Sequence, residues 1–299
     1  MRIKEITSKI KRFFNKYYKA TWFVFLGLIG IIQVQLQIAN QSKQIRIQRE
    51  QSNKQLRDTR FSSGVELLGN LNESARIGGA YNLYFLANEY PSEYLNPVCE
   101  ILCAHIRTIT TEKEYHEKYV KQPSNETQTI LRLLFIKNKQ DNIIFNECYK
   151  NLEGVFFYGI NFSLTTLNNV NLQYAKLNDV IFRNDTISNV DFSNATISNI
   201  DFAHAILNNV DFWDDATLSN VDFALAQLNN VSFWNASLNN VRFLRVKLED
   251  VNFSNAKLKD VDFTNAISNK GNIDFRGATK ERVNLNATIG IIPKNTVIE

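Results

Sequence analysis

The sequence predicts an α+β protein: an amino-terminal transmembrane helix and a small helical domain, followed by a square β-solenoid. Three observations carry this. Residues 21–40 hold no charge. Residues 61–135 space their apolar side chains as helices do. From Leu152 onward a large apolar residue returns every five positions. Neither a helix nor an alternating strand has a period of five, so this is an internal repeat whose copies bury their apolar face by stacking. The expected division is residues 1–60, 61–150, 151–287 and a tail at 288–299.

Residues 21–40 (TWFVFLGLIGIIQVQLQIAN) are about as long as a bilayer core is thick, and Trp22 and Phe23 sit at the edge, as interfacial aromatics do. No small-residue cleavage site precedes a folded domain, so a membrane span is expected rather than a removable signal. Residues 1–60 carry 13 Lys/Arg against 3 Asp/Glu, which places the basic excess beside the apolar segment and points to a membrane surface. Residues 1–20 and 41–60 are both basic, so the charge rule for orientation does not decide. Gly27, Gly30, Gln37, Gln41, Gln44, Gln48, Gln51 and Gln55 follow one helical seam. Small residues allow close helix approach and amides bond across it, which suits a homo-oligomer; a solvated Gln-rich stalk is the other reading.

In the middle segment Phe61, Val65, Leu68 and Leu71 are expected on one helical face, and Ile77, Ala80, Tyr81 and Tyr84 on another. Pro91 and Pro97 are read as a turn before the run 98–106, and Ser124 as the cap of a last helix ending near Phe135. The Gly78-Gly79 pair implies close helix packing. His105 and His116 are assigned structural or surface roles. Cys99, Cys103 and Cys148 are too few for a disulfide framework and have no further ligands for a metal, so neither metal nor cofactor is expected.

With Phe, Leu or Ile as centre, 26 five-residue units run from Leu152 to Leu285, and only Lys280 among the centres is not apolar. Two residues before the centres, from Val170 to Val261, every residue is Ala, Val or Ile except Asp185. These two positions point inward and the other three face water, so each unit is one side of a square coil. From Phe182 to Phe263 the centres alternate Phe with Leu or Ile. The alternation predicts two Phe ladders: Phe182, Phe202, Phe223, Phe243 and Phe263, and Phe192, Phe212, Phe233 and Phe253. The Asn or Asp two residues after each Leu or Ile is expected to turn a corner and bond its own backbone. The extra residue at Asp214-Asp215 is expected to be absorbed as a bulge.

This five-residue pattern is the signature of pentapeptide repeats. The runs RDTRFSSGVELLGN, SARIGGAYNLYFLA and VCEILCAHIR, and PSNETQTILRLLF after them, resemble bacterial membrane-anchored members of that family. The resemblance implies a right-handed quadrilateral β-solenoid with four units per turn, which makes about six coils and a rod ~30 Å tall. It also implies a bacterial inner-membrane protein; such relatives usually have two membrane helices, whereas this chain shows one, so a single-pass protein with its soluble domains in the cytoplasm is expected.

Trp213 and Trp234 each follow a Phe centre four units apart, so they are expected to point outward one above the other. With Asp214 and Asp215 beside them, they are the candidate site for an unknown protein partner. Leu225 and Leu244, with Ala203 and Ala224, are expected outward on the opposite Phe face. Asp211 with Asp214-Asp215 is an acidic loop, too little to specify a cation site. No nucleotide, nucleophile or zinc motif is present, so an enzyme is not expected. The preferred reading is a membrane-anchored interaction scaffold; an oligomeric membrane effector is the alternative. The topoisomerase-binding DNA mimics of the family give a third. A net charge of −4 over residues 152–299, with Arg242, Arg245, Lys247, Lys257 and Lys259, disfavours it, and nucleic acid is not an expected partner.

Overall fold

The structure, a computed structural model, describes residues 2–135, 143–163, 165–268 and 272–290. Residues 291–299 of the expected tail lie outside the described residues. The chain forms two compact units, Met1–Thr59 and Arg60–Glu299. Helix α1 (Arg2–Leu68) supplies the first unit and contributes its last turns to the second. Within the first unit every described side chain is exposed except Gly30 and Arg57, which are partly covered. Its best window has a mean hydropathy of 1.8, so by length and composition it is able to cross a membrane.

Among the described residues the second unit opens with four further helices. Asn72 caps α2 (Glu73–Glu89) by accepting the Ser74 N–H. Helix α3 (Pro91–Thr111) starts on Pro91 and contains Pro97, so the two prolines do not share one turn as expected. A short α4 (Lys113–Lys118) follows. Ser124 caps α5 (Asn125–Phe135), its Oγ accepting the Thr127 N–H at 3.0 Å, as the sequence predicts. Phe61 and Leu68 pack into the core, but Val65 is exposed within α1, and Leu71 is exposed because α1 stops before reaching it. Tyr81 is also exposed.

The glycine pair divides in the same way. A Cβ on Gly79 would lie 2.7 Å from the Gly64 carbonyl and 2.8 Å from Leu67 Cβ, so the crossing of α1 and α2 requires glycine there. A Cβ on Gly78 would meet nothing within 4 Å, which corrects the packing role expected for it.

Glu126, in the first turn of α5, is 2% exposed. Arg76 of α2 donates to it through Nε and Nη2, and His105 Nε2 of α3 lies 2.6 Å from Oε1. Arg76 Nη1 also donates to the Asn70 and Leu71 carbonyls, which fixes the α1–α2 turn. Burial pushes the Glu126 carboxyl up, but the His105 and Arg76 hydrogen bonds outweigh it and hold the group below the usual carboxylate range.

Helix α3 packs on the first strands of the repeat, Lys150–Asn151 and Phe156–Tyr158, and one apolar core runs from the helices into the coils. Phe135 meets Phe162 edge-on at 5.7 Å, and Lys150, buried, donates to the Cys148 and Asn168 carbonyls at 2.9 Å. The helices therefore close the first coil, as a terminal cap must in a stacked repeat.

Two seven-stranded parallel sheets build the rod, in about six coils. Strands such as Thr186–Asp191 and Ile206–Asp211 pair twenty residues apart, Ile187 opposite Leu207. Both Phe ladders form as predicted and extend to Phe162 and Phe275. Rings stack 4.8–5.1 Å apart with planes within 5°. The two ladders meet edge to face across the core, with interplanar angles of 78–89°.

The residue two after each centre is left-handed, with φ of +52° to +61° from Asn169 to Asp214 and from Asn220 to Asn265. The expected corner role is correct, but the expected bond to its own backbone is not. Asn209 donates to Asn189 at 3.1 Å and Asn230 to Asn209 at 2.9 Å. Asn220 donates to Asn199 and Asn240 to Asn220 on another corner. These amides bond between coils. The local turn belongs instead to the residue before Phe: Asp191, Asp201, Asp222, Asn252 and Asp262 each accept the N–H two residues on at 2.8–2.9 Å. Asp185, the exception among the small inward residues, is buried, and its Oδ1 accepts the Thr165 N–H of the previous coil at 2.8 Å.

Gly79→Ala is expected to lower the midpoint of thermal unfolding, whereas Gly78→Ala raises stability by about 1 kcal/mol through helix propensity. Melting curves of the two variants check this, and an equal response would refute the assignment. Because the folded pKa of Glu126 lies below its unfolded value, its stabilisation is complete above about pH 4.5 and lost as pH falls through the folded value. Glu126→Gln is expected to flatten the acid limb of stability against pH, measured by urea melts from pH 3 to 7.

Candidate functional site

The inserted residue falls in a turn, between the end of the strand Ile206–Asp211 and the start of Thr217–Asp222. Asp214 and Asp215 are both left-handed, with φ of +54° and +69°. The strand pairing moves from twenty residues to twenty-one there, Thr196 lying opposite Thr217, and the inward pattern resumes at Leu218. The corner thus absorbs the residue without disturbing either ladder.

Trp213 opens that turn. The Asp214 N–H donates to the Trp234 carbonyl at 3.1 Å, so the two Trp-bearing segments are neighbours in adjacent coils. The indoles lie 6.2 Å apart at 65°, edge to face, and are 43% and 37% exposed. In the coils on either side, Ser193 and Ser254 take the same position. Asp215 Oδ1 accepts from Asn235 Nδ2 at 3.2 Å, and Asp214 is exposed. Trp213, Trp234, Asp214 and Asp215 are therefore brought together on one surface.

Leu225 and Leu244 form a separate patch on the other Phe ladder. The Leu225 N–H donates to the Leu244 carbonyl at 2.9 Å; Leu225 is 44% exposed and Leu244 is half-buried. Ala203 and Ala224, expected to point outward with them, are buried. Their N–H groups donate to Asp201 and Asp222, and a methyl group at this position is small enough to be covered. Leu225 occupies a left-handed corner, φ +61°, where Asn or Asp is usual.

Gly27 and Gly30 have nothing within 4 Å of an added Cβ, and Gln37, Gln41, Gln44, Gln48, Gln51 and Gln55 are all exposed on α1. Cys99, Cys103 and Cys148 are free and buried. Hydrogen bonding to Cys103 and burial push the Cys99 thiol up to about 12; hydrogen bonding to Cys99 and burial raise Cys148, so both stay protonated. Among the described residues no group of His, Cys, Asp or Glu is arranged to hold a metal ion. The half-buried Asp211 belongs to the acidic column of Asp191 as well as to the acidic loop. Its Asp column was visible as the recurring Asp before Phe.

Replacing Leu225 by Asn is expected to raise stability by roughly 1 kcal/mol, because Asn tolerates the left-handed corner better than Leu does. A thermal melt decides it, and an unchanged or lower midpoint would show that the Leu side chain itself supports the coil.

Residues 151–184, 187–223 and 226–265 match the family model described as pentapeptide repeats (8 copies). Curated proteins give no match. Among solved structures, a pentapeptide repeat protein from the Arabidopsis thaliana thylakoid lumen is 22% identical over 36% of this chain and 61% of its own, with a TM-score of 0.21. The match thus spans less than two thirds of that protein. A trypsin-treated form of QnrB1, a plasmid-mediated fluoroquinolone resistance protein, is 11% identical over 46% of this chain and 78% of its own, TM-score 0.26. HetL, a pentapeptide repeat protein involved in heterocyst differentiation regulation in the cyanobacterium Nostoc, is 14% identical over 50% and 91%, TM-score 0.15. The periodic core and the family match together identify the rod: residues 151–265 form a pentapeptide-repeat β-solenoid.

Proposed function

We propose that this protein is a membrane-tethered, non-enzymatic interaction scaffold that presents its solenoid to a protein partner. The observation that carries the reading is the pair Trp213–Trp234. A five-residue coil needs nothing at their position larger than Ser, which neighbouring coils use, yet two large indoles stand there one above the other with much of their surface in solvent. Adjacent exposed Trp side chains are enriched where partners dock. The uncharged stretch at residues 21–40 supports the tether, and its exposed apolar side chains fit lipid better than water.

The test uses the full chain. Trp213→Ser with Trp234→Ser, copying the residues of the flanking coils, is expected to change stability by less than about 1 kcal/mol. A photo-cross-linking residue at Asn235 is expected to trap one defined protein in cells from the unaltered chain and none from the double variant. A double variant that unfolds would make the indoles structural and remove the docking reading. Chain lacking residues 1–40 is expected in the soluble fraction; its retention on membranes would refute the tether.

A further inference from the structure

The net charge of the repeat averages over two unlike stretches. Residues 184–241 hold seven Asp and no Lys, Arg or Glu, whereas residues 242–282 hold nine Lys/Arg. Both Trp residues of the repeat lie inside the acidic band.

Within the band the carboxylates are not equivalent. Asp201 and Asp222 each accept a backbone N–H and face a cation, Arg183 at 2.9 Å and Arg242 at 3.6 Å. Asp191 is occupied by the Ser193 N–H and hydroxyl and by the Gln173 amide. Asp211 is different. It sits directly across the sheet from Asp191 on one side and Ser232 on the other, two residues before Trp213, while Ser232 is two residues before Trp234. No described residue donates a hydrogen bond to the Asp211 carboxylate or pairs with it as a cation. Burial, and then the charge of Asp191, push its carboxyl above the usual carboxylate range, which is the condition of an acid lacking a positive partner. Asp214 and Asp215 add two exposed carboxylates beside the indoles.

We propose that the Trp213–Trp234 patch receives an arginine on a basic segment of its protein partner, with the guanidinium stacked on an indole and paired with the carboxylates of Asp211 and Asp214. Arginine is the side chain that does both: its planar cation stacks on an aromatic face and donates in a fork to a carboxylate, which a lysine ammonium does not. The proposal rests on the docking reading above and adds the chemistry of the partner.

The test measures an acetylated, amidated tetra-arginine peptide against the full chain in detergent, carrying Trp22→Phe so that indole fluorescence reports the rod alone. Saturable quenching is expected, with tetra-lysine at least fivefold weaker and tetra-glutamate without effect. Asp211→Asn is expected to weaken tetra-arginine at least tenfold with an unchanged melting midpoint, and the double Trp→Ser variant, followed by calorimetry, to bind no more than background. Equal affinity for lysine and arginine, or binding that survives both sets of substitutions, would show general attraction to the acidic band and overturn the proposal. The same holds if the peptide fails to bind while the cross-linked partner is still lost from the Trp variant; then docking stands and its arginine chemistry falls. Loss of neither partner nor peptide in that variant removes both.

Discussion

A backbone that must bend at every fifth residue depends on one conformation, the left-handed corner. Among the described residues, twenty-three other than glycine adopt a positive φ, and nearly all of those in the coils stand two positions after an inward side chain. For most L-residues that region is unfavourable by about 1 kcal/mol or more, whereas Asn and Asp reach it most readily. Seventeen of the twenty-three are Asn or Asp. Their abundance is thus a backbone requirement before it is anything else. Once the corners are set, the inward positions fall into vertical columns, and the stacking of Phe on Phe follows from the spacing of parallel strands.

The amide at the corner then acquires a second role. Asn189, Asn209 and Asn230 are held in line by the coil geometry, so each side chain reaches the next at hydrogen-bonding distance without further ordering. Such bonds sit in solvent and each adds a modest increment. Repeated along two corners, they resist sliding of one coil over another, which apolar columns alone, being non-directional, resist less.

The repeat was legible because its inward positions have a strict period and the physics of a stacked coil is local. Period five, both Phe ladders and the absorbed residue at Asp214-Asp215 all follow from position alone. The Glu126 cluster was not legible, since Arg76, His105 and Glu126 come from three helices and share no spacing. Gly78 and Gly79 look alike in sequence, and only the approach of α1 separates them. Ala203 and Ala224 were misplaced because their position faces outward when it carries Trp, while Ala at the same position is small enough to be covered. At the candidate site the Trp pair was readable and Asp211 was not singled out, because its distinction from Asp201 and Asp222 lies in what pairs with it across coils.

The helices that cover the first coil also give the chain a direction in time. Residues 60–135 emerge before the coils during synthesis and supply Leu83, Leu102 and Leu134 to the start of the continuous apolar core. Each later coil then needs only the preceding one, about twenty residues back, to complete its hydrogen bonds. Loop closure over so short a separation is inexpensive in entropy, so the rod is able to grow by addition from a finished surface. A chain built this way gains each new coil almost as soon as it is long enough to reach around.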